Sequence, residues 1–204
     1  MAAWSAALVV HDLKNELGAL EAGLEQLALR PEAGAASLAH RQCHALRQRL
    51  VMFLTVYGID GELRAVCDDE SPVEVIESLV ARQVLRSPSI SVSVRATDKA
   101  PPFWHFDRRL VTMALEAALH NALKFARSRV DLSVCAEGST LVFAIDDDGP
   151  GIGPSTGGDD LATGLGTTLC RSVARAHGVA GKDGGVRLFN RRQGGARFEL
   201  RLPT

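Results

Sequence analysis

Residues 140–153 read TLVFAIDDDGPGIG. The apolar run reads as a strand, and Asp146, Asp147 and Asp148 carry it directly into a Gly-Pro-Gly turn. Glycines there let backbone approach a ligand closely, because Gly149 and Gly151 have no Cβ. A Gly-Pro-Gly turn alone is an ordinary loop; the strand and the acids at its mouth distinguish this one.

Working outward, RVDLSVCA at 129–136 alternates as a second strand, joined to the first across Glu137-Gly138. Before it, a long helical pattern runs from Asp107 to about Ala126 and contains ALHNALKFA at 118–126. After the loop, TGLGTTLC at 163–170 leads into a helix from about Leu165 to Ala176, ending near ARAHG at 174–178. GVRLFN and ARFELRLP follow as strands linked across Gln193-Gly194-Gly195. Upstream, Ser71-Pro72-Val73-Glu74 reads as an N-cap with a capping box, opening a helix to about Leu85, and SISVSVRA alternates as a strand. This order predicts an α+β domain over residues 60–204, a two-layer sandwich of a mixed sheet with helices on one face.

Residues 1–59 read differently. From Val9, the apolar residues Leu13, Leu17, Leu20, Leu24 and Leu27 alternate in spacings of four and three, and the helix should stop before Pro31. After a loop around Pro31-Glu32-Ala33-Gly34, Leu46, Leu50, Phe53 and Tyr57 repeat the spacing until Gly58. One hairpin of this length cannot bury its own seam, so a homodimer forming a four-helix bundle is expected. His11 lies about 200° round the helix from Leu13 and should face solvent, with Asn15 on the same face.

Composition excludes some partners. A net charge of −1 over 204 residues gives no basic field for nucleic acid or an anionic membrane. The apolar stretch Ala6 to Val10 is too short for a span and lacks a basic flank, so a cytoplasmic location is expected. Cys43, Cys67, Cys135 and Cys170 form no C-x-x-C pair and read as reduced packing residues; His40-x-x-Cys43-His44 lacks a second ligand cluster.

HDLKNEL at 11–17 resembles the phospho-acceptor box of bacterial two-component histidine kinases. That resemblance implies that His11 takes a phosphoryl group, that Asp12 orients the ring or accepts its proton, and that Asn15 positions a water if the protein is also a phosphatase. ALHNALKFA resembles the N box of the ATPase superfamily containing histidine kinases, DNA gyrase, Hsp90 and MutL. It implies Asn121 as a Mg²⁺ ligand and Lys124 as a phosphate contact. DDDGPGIG resembles the first glycine box, implying that Asp147 accepts from the adenine amino group and that Gly149 and Gly151 supply the close turn. TGLGTTLC resembles the second glycine box, with Gly164, Gly166, Thr167 and Thr168 at the phosphates.

The implied function is an ATP- and Mg²⁺-dependent kinase that phosphorylates His11, passes the group to an aspartate of a response-regulator receiver domain, and takes its signal from an upstream sensor protein. Two features depart from the pattern. Ala117 stands where a second Asn or an acid is usual, with Glu116 about 140° away from Asn121. The lid PSTGGDDLAT is short. Both favour the competing reading, a histidine phosphotransferase or adaptor without ATP binding; a serine kinase of anti-sigma-factor type is a third reading, which needs no phospho-accepting hairpin.

Overall fold

The computed structural model describes residues 2–57, 63–84, 90–95, 99–153, 165–179 and 181–204. The chain divides into two units, Met1–Gly61 and Glu62–Thr204.

The first unit is a helical hairpin of α1 (Ala2–Leu29) and α2 (Ala33–Tyr57). Pro31 cannot continue the first helix, and the second restarts at Ala33 rather than after Gly34, because Ala36 N–H already reaches the Glu32 carbonyl at 3.0 Å. The expected single seam is divided into two rows. Val9, Leu13 and Leu20 are buried, as is Ala39 on α2, whereas Val10, Leu17 and Leu24, seven residues apart, remain 51%, 46% and 48% exposed. One neighbouring helix can cover only one row of a heptad pattern, so the second row is left facing outward. On α2, Phe53 and Tyr57 stack with ring centroids 5.1 Å apart, while Leu50 and Leu54 are exposed. Glu16 and Arg49 form an ion pair between the helices.

The second unit is a two-layer α/β sandwich. Its sheet has the order β2-β4-β5-β7-β6, from β2 (Ser91–Val94), β4 (Arg129–Glu137), β5 (Thr140–Asp147), β7 (Ala196–Pro203) and β6 (Gly185–Asn190). β2 and β4 are parallel and the other pairs antiparallel, so the sheet is mixed. Two three-residue strands, β1 (Asp68–Glu70) and β3 (Trp104–Phe106), pair separately and were too short to read as a pattern. The helices are α3 (Pro72–Val84), α4 (Arg108–Phe125) and α5 (Leu165–Ala176).

Alternation sets the core. Val130, Leu132 and Val134 on β4, Leu141, Phe143 and Ile145 on β5, and Leu200 and Leu202 on β7 are almost fully buried on the helix-facing side. The helices meet them with Val75, Ile76 and Leu79, with Leu110, Val111, Ala114 and Leu115, and with Leu169 and Val173. Burying each large side chain contributes on the order of 1.5–3 kcal/mol. Phe106 meets Phe143 edge to face at 5.9 Å.

On the other side of the sheet, the alternate positions are charged. Asp131 binds Arg95 and Arg129, Asp146 binds Arg197, and Glu199 binds Arg197 and Arg201, all between 2.8 and 3.3 Å. Val142 and Ala144, which share this face in register with Arg201 and Glu199, are nonetheless buried.

Local signals explain the helix ends. Ser71 Oγ accepts from Glu74 N–H at 3.5 Å, but the Glu74 side chain turns to Arg108 instead of closing the box. Asp107 is the N-cap of α4, accepting from Leu110 N–H at 2.9 Å. The cysteines are all free thiols. Cys170 packs as expected, and burial pushes its thiol up to about 12; Cys43 lies on the exposed side of α2, contrary to the packing expectation. Among the described residues, no helix is long and apolar enough to cross a membrane.

Candidate functional site

On the hairpin, the side chain of His11 is 65% exposed on α1. Its Nδ1 lies 3.3 Å from the Asn15 amide nitrogen and 3.6 Å from Asp12 Oδ1. Residues four apart share a helix face, which is why Asn15 reaches the ring. Both neighbours sit at Nδ1, so Nε2 points away from them. A ring held at one nitrogen and presented at the other suits attack on an incoming electrophile.

In the second unit, the acidic end of β5 forms a backbone cradle. Asp147 is 8% exposed, and its Oδ1 accepts from the N–H groups of Gly149 at 2.8 Å and Ala196 at 3.2 Å. Both bonds converge on one oxygen, leaving Oδ2 as an oriented acceptor. Gly149 is sterically required: a Cβ there would lie 2.4 Å from the Phe125 carbonyl oxygen at the end of α4. Gly151 has φ +79°, and a Cβ would come within 2.7 Å of Asn190 Oδ1.

Three residues that the motifs did not single out hold this loop. Asn190 accepts from Ile152 N–H at 2.6 Å and donates to its carbonyl at 3.0 Å. Arg191 Nη1 donates to the Asp147 carbonyl at 2.9 Å. Asp148 accepts from Arg127 N–H, Ser128 N–H and the Ser128 hydroxyl. The Ser128 hydroxyl first, and then these backbone N–H groups, hold its carboxyl far below the usual carboxylate range. Asp148 had a visible signal, the third acid of the run; Asn190 and Arg191 lie about forty residues away and had none.

Asn121 and Lys124 are exposed on α4, one turn apart, with Lys124 Nζ 5.4 Å from the Phe125 ring centroid. α5 crosses this helix: a Cβ on Gly166 would lie 3.5 Å from the Ala117 Cβ. The small residue at 117 thus admits the first turn of α5, where Thr167 also sits. Glu116 pairs with Arg82 at 3.3 Å, consistent with its being a poor substitute for a side chain at 117. Gly164 and the expected lid, 154–163, lie outside the described residues.

The second unit therefore joins the loop carrying Asp147, Gly149 and Gly151 to the exit of α4, and the start of α5 to α4 at Ala117. The residues fit a purine nucleotide: Asp147 offers an oriented acceptor for an exocyclic amino group, α5 turns the positive end of its helix dipole to phosphates, and Asn121 offers a hard oxygen to Mg²⁺. A cavity of about 370 Å³ adjoins this loop, lined by Asp147, Asp148 and Gly149 together with Arg95, Arg129, Asp131, Asp146 and Arg191, among others. Asp131 and Asp146 are already paired with arginines, so this charged recess is a poor nucleotide pocket.

The family described as histidine kinase-, DNA gyrase B- and HSP90-like ATPase matches residues 106–204. That match takes in α4, α5 and the strands β4 to β7 of the second unit. With the hairpin before it, the chain has the make-up of a histidine-kinase core. The sensor protein kinase CarS of Pseudomonas aeruginosa is 30% identical over 207 residues, covering 95% of this chain and 44% of CarS. The sensor protein RstB of Escherichia coli is 26% identical, covering 96% of this chain and 47% of RstB. The chain spans less than half the length of the curated relatives it matches. Among solved structures, the Acinetobacter baumannii histidine kinase AdeS superposes with a TM-score of 0.76 at 17% identity, covering 95% of this chain and 97% of the other, a likeness of fold.

Proposed function

We propose that this chain is an ATP-dependent protein-histidine kinase that phosphorylates His11 and hands the phosphoryl group to an aspartate of a response-regulator receiver domain. The observation that carries the reading is the presented ring of His11 in a chain that also holds an ATPase-family domain, whose Asp147 carries one fixed and one available oxygen.

In this reading Asp147 selects adenine, Gly149 and Gly151 allow its close approach, and Gly164, Gly166 and Thr167 meet the phosphates. Lys124 adds positive charge and Asn121 holds Mg²⁺, which when bound neutralises the phosphate oxygens. The Nε2 lone pair of His11 forms a bond to the γ-phosphorus of ATP as the bond to the β-phosphate oxygen breaks and ADP leaves. A proton on Nδ1, held or accepted by Asp12, leaves that lone pair on Nε2, while Asn15 would serve a phosphatase reaction by positioning water. Positioning and charge neutralisation supply most of such a rate. The outward row Val10, Leu17 and Leu24 supports a homodimer through the hairpin. A cytoplasmic location and a separate sensor protein accord with this chemistry.

The test incubates the protein with Mg²⁺ and γ-labelled ATP and examines the label under acid and alkali. Alkali-stable, acid-labile label that requires His11 supports the kinase. Acid-stable label on serine would instead indicate the anti-sigma type of reaction. Ala117, which puts a methyl beside the first turn of α5 where the pattern usually carries a polar side chain, favours one second reading, a phosphotransferase that receives its phosphoryl group from another protein. It predicts no label from ATP but labelling of His11 by a phosphorylated receiver domain.

A further inference from the structure

We propose that Asp148 is a positioning residue that clasps the adenine-side glycine loop to the exit of the helix carrying Asn121. This deepens the proposed function and rests on its nucleotide site.

α4 ends at Phe125, and Ala126 turns extended with φ −60° and ψ 146° while its N–H still reaches the Ala122 carbonyl at 2.8 Å. The next two N–H groups have left the helix and need acceptors. Both donate to Asp148: Arg127 N–H to Oδ1 at 2.8 Å, and Ser128 N–H between Oδ1 and Oδ2 at 3.1 Å. The Ser128 hydroxyl adds a bond to Oδ2 at 2.6 Å. The clasp runs both ways, since Asp148 N–H donates to the Arg129 carbonyl at 3.3 Å. One residue further on, Gly149 rests against the Phe125 carbonyl with no room for a Cβ.

Asp148 thus ties together two segments about twenty residues apart in sequence. Its neighbour Asp147 is the proposed adenine acceptor, and Asn121, the proposed Mg²⁺ ligand, lies on the last turns of the clasped helix. The carboxylate sets the spacing between those two ends of the nucleotide without touching it. Both oxygens receive only donors, so alanine deletes the clasp. Asparagine keeps one acceptor for the two N–H groups, and its NH₂ can donate to the rotatable Ser128 hydroxyl.

The experiment titrates the full chain and its Asp148→Ala, Asp148→Asn and Ser128→Ala variants with Mg-ADP by calorimetry, at a temperature where each is folded by circular dichroism. Asp148→Ala is expected to bind roughly tenfold more weakly, Asp148→Asn within about threefold of the native chain, and Ser128→Ala within about the same range but measurably weaker. Rescue by asparagine is the outcome that a charge effect on the nucleotide would not give. Native affinity in folded Asp148→Ala overturns the proposal while leaving the nucleotide site intact. An equal loss in the alanine and asparagine variants also overturns it, by assigning the effect to charge. Should Asp148→Ala fail to fold, unchanged affinity in both remaining variants overturns it, and a loss in Ser128→Ala supports it. If the native chain binds no Mg-ADP, the proposed function and this inference fall together.

Discussion

The backbone N–H of Asp107 donates to Nε2 of His177 at 2.9 Å, joining the start of α4 to the residue just beyond α5. Nδ1 of the same ring lies 2.7 Å from the Val173 carbonyl. A carbonyl needs a proton on Nδ1 and an N–H needs a lone pair on Nε2, so these partners define the neutral imidazole. Asp107 itself accepts from Leu110 and Val66 N–H groups, so one buried knot fixes both helices and the segment entering the second unit.

This knot predicts a pH dependence. Burial lowers the His177 pKa from its ordinary value of 6.5, outweighing the Val173 carbonyl and the Asp107 charge, which raise it. Below that value the unfolded chain takes up the proton more readily than the folded one, so stability falls as pH drops from above 6.5 towards the depressed folded value. Melting temperatures measured from pH 7.5 to 5 should decline, and His177→Gln should have a lower melting temperature at pH 7.5 but a flatter decline. A slope unchanged by that substitution would assign the pH dependence to other groups.

His11→Gln should abolish acid-labile phosphorylation while leaving nucleotide affinity and oligomeric state unchanged, because the ring is largely exposed and its neighbours are local. Light scattering and calorimetry on the purified variant check the two unchanged properties. Loss of either would mean that His11 has a structural role.

Asp147→Asn should weaken adenine-nucleotide binding by roughly 1.5–3 kcal/mol, since a charged acceptor becomes a neutral amide with one oxygen. The Gly149 and Ala196 N–H bonds will compete for that oxygen. Calorimetric titration with ADP measures the effect, and unchanged affinity would exclude Asp147 from the site.

Gly149→Ala should cost about 2 kcal/mol or more of stability, because the new methyl meets backbone, the Phe125 carbonyl, which cannot rotate aside. Gly166→Ala, whose Cβ would be in ordinary contact at 3.5 Å, should be far milder. Urea denaturation of the two variants side by side reads the contrast.

Leu17→Asp combined with Leu24→Asp should convert a hairpin-mediated dimer to monomer, since both side chains lie on the outward row and not on the row packed against α2. Sedimentation gives the mass, and nucleotide titration should show the second unit unaffected. A dimer that survives both charges would move the interface elsewhere.

Much of this architecture was legible because its signals are periodic and local. Leu165 to Ala176 emerges as α5 with the boundaries its apolar spacing suggested, and the strand pairs at 129–147 and 185–203 follow their turn residues. The hairpin was legible as two helices, but one strand of sequence does not say which heptad row a neighbour covers, so Leu17 and Leu24 could not be separated from Leu13 and Leu20. β1 and β3 escaped because three residues carry no period. In the candidate site, Asp147, Gly149 and Gly151 stood out as a contiguous motif, whereas Asn190 and Arg191 act on the loop only after β6 and β7 bring them back to it. Glu74 illustrates the limit of local signals: a capping-box acid was drawn away by Arg108, which sequence proximity could not anticipate.

The crossed arginine and carboxylate side chains on the outer side of the sheet make it a wetted surface instead of a second hydrophobic layer. Another sheet or an apolar helix laid there would have to strip water from Asp131, Asp146 and Glu199 and their partners before gaining contact area, and Val142 and Ala144 offer it almost nothing because they are already enclosed. The unit is therefore sticky in one direction only. Among the described residues β2 and β6 each pair on one side only, and at β6 the exposed Leu188 and Phe189 leave that margin the more susceptible to unwanted association when the protein is concentrated.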